Sequence, residues 1–112
     1  VIDSDSKKQT VWQIIAAIPR GKVVTYGQLA DMAGIPGQAR WVGRLLSELP
    51  NGTALPWHRV VNASGRITNP NYLKQTNRLL AEGIVSDNRR VNLNRFQWRP
   101  GQEDRDTLTP NE

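Results

Sequence analysis

The sequence predicts a mainly α-helical domain built on a helix-turn-helix with short β-strands. Three observations carry this: apolar residues recur at helical intervals in several separate stretches; strand-like runs are short; and two short helical stretches flank the turn Gly34-Ile35-Pro36-Gly37. A chain of 112 residues supports one domain with its own core and leaves little room for a separate catalytic one. We place that domain at residues 1–100. The acidic stretch 101–112, with Glu103, Asp104, Asp106 and Glu112, reads as a solvated, disordered tail.

Element by element, Ser6 and Gln9 have capping-box spacing, and Val11, Ile14, Ile15 and Ile18 follow at helical intervals until Pro19, which predicts a helix over 6–18. Lys22 to Thr25 follows a Pro-Arg-Gly turn and reads as a short strand. Thr25 and Gln28 repeat the capping-box spacing, opening a helix over Tyr26 to Ala33. Gln38 to Leu49 resumes helical spacing through Val42, Leu45, Leu46 and Leu49. Pro50-Asn51-Gly52-Thr53 is a loop, Arg59 to Val61 a short strand, and Asn62 to Gly65 a turn. A last helix is expected over Asn71 to Glu82, with Tyr72, Leu79 and Leu80 facing inward and Gly83 as its stop. Beyond Ile84 the pattern gives no element.

Composition excludes several kinds of chemistry. The chain has no cysteine, which removes disulfides, thiolate metal sites and thiolate nucleophiles, and its single histidine is too few for the usual multi-His zinc geometries. No metal and no cofactor is expected. With no export-type signal and no apolar run near membrane-spanning length, no membrane partner is expected either, and the default address is cytoplasmic. Nothing supports oligomerisation, so the expected state is a monomer. The net charge of +5 favours a polyanionic partner without identifying it, and Arg89, Arg90, Arg95 and Arg99 crowd one late stretch.

The segment LPWHRVV, Leu55 to Val61, resembles the active-site signature of the O6-alkylguanine-DNA alkyltransferases, with Trp57 where those enzymes carry the alkyl-accepting cysteine. GKVVTYGQLADMAG, Gly21 to Gly34, resembles their segment that opens the first DNA-facing helix with a tyrosine, here Tyr26. Ala39-Arg40 resembles the recognition-helix pair whose arginine acts as a finger, and LLAEG carries Glu82. The match covers roughly residues 8 to 85, and with the cysteine absent it points to the alkyltransferase-like branch of that family.

This resemblance implies a winged-helix-like fold, as in the alkyltransferase C-terminal domain, and a non-enzymatic sensor. A lesion on guanine O6 lies on the pairing edge, so inspection requires flipping the nucleotide into a pocket at a cost of a few kcal/mol. By resemblance, Arg40 enters the vacated space through the minor groove, Tyr26 crowds the phosphate, and small Ala39 and Gly43 let the helix approach closely. Arg44 is a candidate phosphate contact, which completes a DNA-binding set of Tyr26, Ala39, Arg40, Gly43 and Arg44. The lesion pocket is expected from Tyr26, Trp57, His58, Val61, Tyr72 and Glu82, with loop Thr68 to Lys74 reading the base. His58 and Glu82 match the enzyme's base relay, but with no thiol to activate a structural pairing explains them better. Arg59 reads as an ion pair or backbone clamp. Two positions depart from the enzymes: Leu49 aligns with their hinge asparagine and Asn71 with their guanine-binding serine.

The implied partners are double-stranded DNA containing O6-alkylguanine and the damage-recognition proteins of nucleotide excision repair. The alternatives are a helix-turn-helix regulator without lesion specificity, an enzyme built on His58 and Glu82, and an adaptor using the late arginines.

Overall fold

The computed structural model describes residues 4–50 and 52–101; the acidic end from residue 102 and Asn51 lie outside the described residues. Helix α1 spans Ser4–Ala17 and turns Val11 and Ile15 inward. Ser6 therefore lies within the helix and is not its cap; its carbonyl accepts from Thr10 Oγ1 at 3.1 Å. Strand β1, Val24–Thr25, leads directly into α2, Tyr26–Met32, through the expected capping box. The Gln28 amide donates to Thr25 Oγ1 at 3.0 Å, and the Gln28 side chain accepts from the Thr25 amide at 3.4 Å. Helix α3, Ala39–Ser47, follows the Gly34–Gly37 turn and presents Val42, Leu45 and Leu46 to the core, so α2 and α3 form the expected helix-turn-helix.

The chain returns through a 3₁₀ turn, Trp57–Arg59, into β2, Val60–Val61, which pairs parallel with β1 in the register Val24↔Val60 and Thr25↔Val61. A parallel pair needs a crossover connection, and α2 and α3 supply it. Successive strand residues face opposite ways. Val24 and Val60 accordingly pack among α1, α2 and α3, whereas Val23 and Val61 pack with Ile67, Leu79, Ile84 and Val91. The two-stranded pair is thus a wall between two cores.

Helix α4, Tyr72–Ala81, ends in Gly83 at φ 85° as expected. Its inward face differs from the expected one: Leu80 is 56% exposed, while Gln75 is 1% exposed. The Gln75 amide is accommodated because it donates to the carbonyls of His58 at 3.0 Å and Val60 at 2.9 Å.

Beyond Ile84 the structure adds elements the sequence pattern does not show. Strands β3, Ser86–Asp87, and β4, Arg90–Val91, form an antiparallel hairpin, followed by the short helix α5, Leu93–Phe96. Residues 65–67 line the hairpin, with the Val91 amide donating to the Gly65 carbonyl and the Ile67 amide to the Arg89 carbonyl, both at 2.8 Å. A Cβ at Gly65 would collide with the Val91 carbonyl, so this edge requires glycine. The segment after α5 runs beside β1: the Val23 amide donates to the Phe96 carbonyl at 2.9 Å, the Trp98 amide donates to the Val23 carbonyl at 2.7 Å, and Gln28 Nε2 donates to the Trp98 carbonyl at 2.6 Å. This small wing beside a helix-turn-helix is the winged-helix-like arrangement expected. No described helix is long and apolar enough to cross a membrane.

Candidate nucleic-acid interface

Helix α3 begins on Ala39 and turns Val42, Leu45 and Leu46 inward, which leaves Arg40 and Arg44 exposed on its outer side. Tyr26 at the start of α2 is half-buried beside it. A Cβ built on Gly43 would meet the Tyr26 ring at 3.9 Å, an ordinary contact. The fold itself therefore tolerates alanine at Gly43, and any demand for a smaller residue comes from what docks on the helix. Burial pushes the Tyr26 phenol pKa up, an effect partly countered by the Thr68 side chain facing it.

These residues border an open groove of about 700 Å³, whose floor includes Ala39 and Gly43 and whose far side is the turn at Asn62 and the loop Thr68 to Pro70. Arg40 and Tyr26 line it together. A tighter cavity of about 90 Å³ adjoins the groove, sharing Ser47, Asn69 and Pro70 with it, and carries Trp57 in its wall. Its other sides come from the end of α3, the loop that follows, and Asn71 and Lys74.

Trp57 is oriented by local geometry. Pro56, at φ −79° and ψ 62°, makes an inverse γ-turn in which the Trp57 amide donates to the Leu55 carbonyl at 2.8 Å. Trp57 is 8% exposed and packs in the first core, and its ring meets His58 edge to face and lies 5.7 Å from the Arg78 guanidinium.

His58 and Glu82 do not line the cavity; they belong to an ion-pair knot centred on the Glu82 carboxylate. The Glu82 carboxylate accepts from His58 Nε2 at 2.6 Å, from Arg59 Nη2 at 2.7 Å and Nε at 3.0 and 3.1 Å, and from the Gly21 amide at 2.9 Å. Arg59 Nη1 also reaches the Ile18 carbonyl at 2.8 Å, so Arg59 is both ion pair and backbone clamp. Burial alone would raise the Glu82 pKa, but Arg59, the Gly21 amide and His58 together hold it at about 2. Burial lowers the His58 pKa, despite the opposing pull of Glu82. With Glu82 ionised, His58 donates its Nε2–H to it, and buried Nδ1 has no partner among the described residues. The knot fastens the 3₁₀ turn to the end of α4 and to the turn after α1.

Two further expected pocket residues lie elsewhere. Val61 is fully buried in the second core, because strand alternation turns it away from the α3 side. Tyr72 packs against that same core and carries the Arg89 guanidinium 3.6 Å from its ring centroid. Of the expected pocket set the structure therefore keeps Trp57 on the cavity and Tyr26 on the adjoining groove. The sequence reading missed Leu46, Ser47 and Pro50; the loop predicted after α3 was the available signal for the last of these. Among the described residues, no three His, Cys, Asp or Glu side chains gather as a metal site would require.

The model of the 6-O-methylguanine DNA methyltransferase DNA-binding domain matches residues 6–84. The chain is 53% identical over 97 residues to the DNA base-flipping protein of Escherichia coli K12, covering 84% of this chain and 75% of that one. It is 35% identical over 99 residues to alkyltransferase-like protein 1 of Schizosaccharomyces pombe, covering 80% of this chain and 92% of that one. The crystal structure of S. pombe Atl1 in complex with damaged DNA containing O6-carboxymethylguanine superposes with a TM-score of 0.78 at 32% identity, over 89% of this chain and all of that one.

Proposed function

Since the chain belongs to the family of the 6-O-methylguanine DNA methyltransferase DNA-binding domain, in its alkyltransferase-like branch, we propose that it binds O6-alkylguanine in duplex DNA without removing the alkyl group. The observation that carries this reading is the juxtaposition of an exposed arginine groove with a cavity walled by Trp57 in a chain without cysteine. Arg40 stands on the groove between Ala39 and Gly43, where a helix close to the minor groove could slide the guanidinium into the base stack and offset the cost of flipping. Tyr26 faces the same groove and would press on the phosphate of the rotating nucleotide. Ser47, Asn69 and Pro70, which border both spaces, mark the path of the flipped base. By the resemblance of LPWHRVV, Trp57 takes the place of the enzymes' nucleophile, and from the cavity wall it would offer the base or its alkyl group an apolar face.

The relatives named a base-flipping protein and a protein bound to alkylated DNA support the same reading. An enzyme built on His58 and Glu82 finds no support, because the Glu82 carboxylate is occupied by structural donors. Binding without repair would leave a persistent flipped lesion, a suitable mark for the recognition proteins of nucleotide excision repair.

The test compares affinity for duplexes with and without O6-methylguanine at two salt concentrations, which separates pocket recognition from phosphate attraction. Tighter binding to the lesion at both salts, with the methyl group still on the DNA afterwards, is the expected result. Equal affinity would leave a helix-turn-helix binder without lesion specificity.

A further inference from the structure

The tip of the β3–β4 hairpin uses an unusual residue for its geometry. Asn88 at φ 56° and Arg89 at φ 62° both occupy the left-handed region, as two-residue hairpin turns of this type require, and Asn-Gly supplies that pair with the least strain. Asparagine tolerates the conformation, but arginine is strained there. Strain of this kind persists where surrounding contacts hold it, and Arg89 makes two such contacts. Its carbonyl accepts from the Ile67 amide at 2.8 Å, and its guanidinium lies 3.6 Å from the Tyr72 ring centroid.

Ile67 is the residue before Thr68, and Tyr72 the residue after Asn71. Arg89 therefore grips both ends of loop 68–71. This loop lends Thr68, Asn69 and Pro70 to the groove and Asn69, Pro70 and Asn71 to the Trp57 cavity. Within it, Asn69 Oδ1 accepts from the Asn71 amide at 2.8 Å, which braces the loop as a unit that can be held from its ends.

We propose that Arg89 is a positioning residue for the lesion pocket: the strained hairpin tip clamps both ends of loop 68–71 and so sets the preference for damaged over undamaged DNA. This rests on the lesion-binding reading above and gives Tyr72 its role, as the platform for the clamp and not as a pocket wall.

The test uses the full chain with Arg89→Gly, Tyr72→Leu and Tyr72→Phe. Two quantities are read for each: the ratio of affinities for O6-methylguanine and undamaged duplexes, and hydrogen exchange at the amides of Thr68, Asn69 and Asn71 in the free protein. Arg89→Gly relieves the strain, so its melting temperature should not fall. Its affinity ratio should drop roughly two- to five-fold, as expected for a lost cation–π contact transmitted to the pocket, and the loop amides should exchange faster. Tyr72→Leu should behave alike, and Tyr72→Phe, which keeps the ring, should match the unsubstituted protein.

If the unsubstituted protein prefers the lesion, an unchanged ratio in Arg89→Gly overturns the proposal. So does an equal loss of affinity for both duplexes, which would make Arg89 a phosphate contact. If that protein shows no preference, the lesion reading fails, and loop exchange alone decides the clamp: faster exchange in Arg89→Gly supports it and unchanged exchange refutes it.

Discussion

The Glu82 knot and the Arg40 groove follow opposite principles. In the knot, a carboxylate holds donors from His58, Arg59 and Gly21, and Arg59 reaches on to Ile18, so each strong charge is occupied within the protein. In the groove, Arg40 projects into an open space bordered by small residues. The difference separates two uses of charge: one fixes the backbone around Trp57, and the other is left available for a partner. By resemblance to the alkyltransferases, the knot occupies the place of a base relay, and here its geometry is that of a brace.

The largest effect that would test this contrast is Glu82→Ala. It strands buried His58 and part-buried Arg59, and the loss of one partner from such a pair costs roughly 3–5 kcal/mol. Urea unfolding should show this loss, while the folded fraction keeps its affinity for undamaged DNA. Stability close to that of the unsubstituted protein would mean that the knot is not a brace.

Arg40→Ala should do the reverse. Lesion affinity should fall by roughly ten- to a hundred-fold, as for an interface hot spot, with unfolding stability within about 0.5 kcal/mol. A large fall in stability would place Arg40 among the structural residues instead.

Acidification from pH 7 to 5 should give the smallest effect. His58 has a lowered folded pKa, so the unfolded chain takes up its proton first and stability declines as pH drops below about 6.5. Glu82, held at about 2, stays ionised in the folded protein, and its contribution is lost only as pH falls from about 4.5 toward 2. Urea midpoints between pH 7 and 5 should thus decline gently and then steeply below 4.5. Midpoints that stay level or rise between pH 7 and 5 would mean that His58 is protonated in the folded state.

Where local chemistry decides the structure, the sequence was readable. The Thr25–Gln28 box opens α2 as its spacing implies, and Gly83 ends α4. Ser6–Gln9 has the same spacing yet lies inside α1, because a motif shows that a cap can form and not that the helix begins there. The hairpin escaped because its strands are two residues each and its turn lacks the glycine that usually announces such geometry. Helix α5 is only four residues, although Asn92, whose side chain accepts from the Arg95 amide, was a visible cap. In the site, Tyr26, Arg40 and Trp57 were found through resemblance and stand on the groove or cavity. Val61 and Tyr72 were misplaced because proximity in sequence to Trp57 and to the loop says nothing about which side of the β1–β2 wall a side chain takes.

That wall also bears on how such a chain can change over time. Val24 and Val60 serve the packing beneath the groove, and Val23 and Val61 the packing beneath the wing. Substitutions in contact couple, whereas those well apart without shared partners largely add. A new residue among Ile67, Ile84 and Val91 is therefore screened from α3 by two strands of backbone. The domain can vary its wing-side interior as one lineage of choices and its DNA-facing interior as another, with little need for one to await the other.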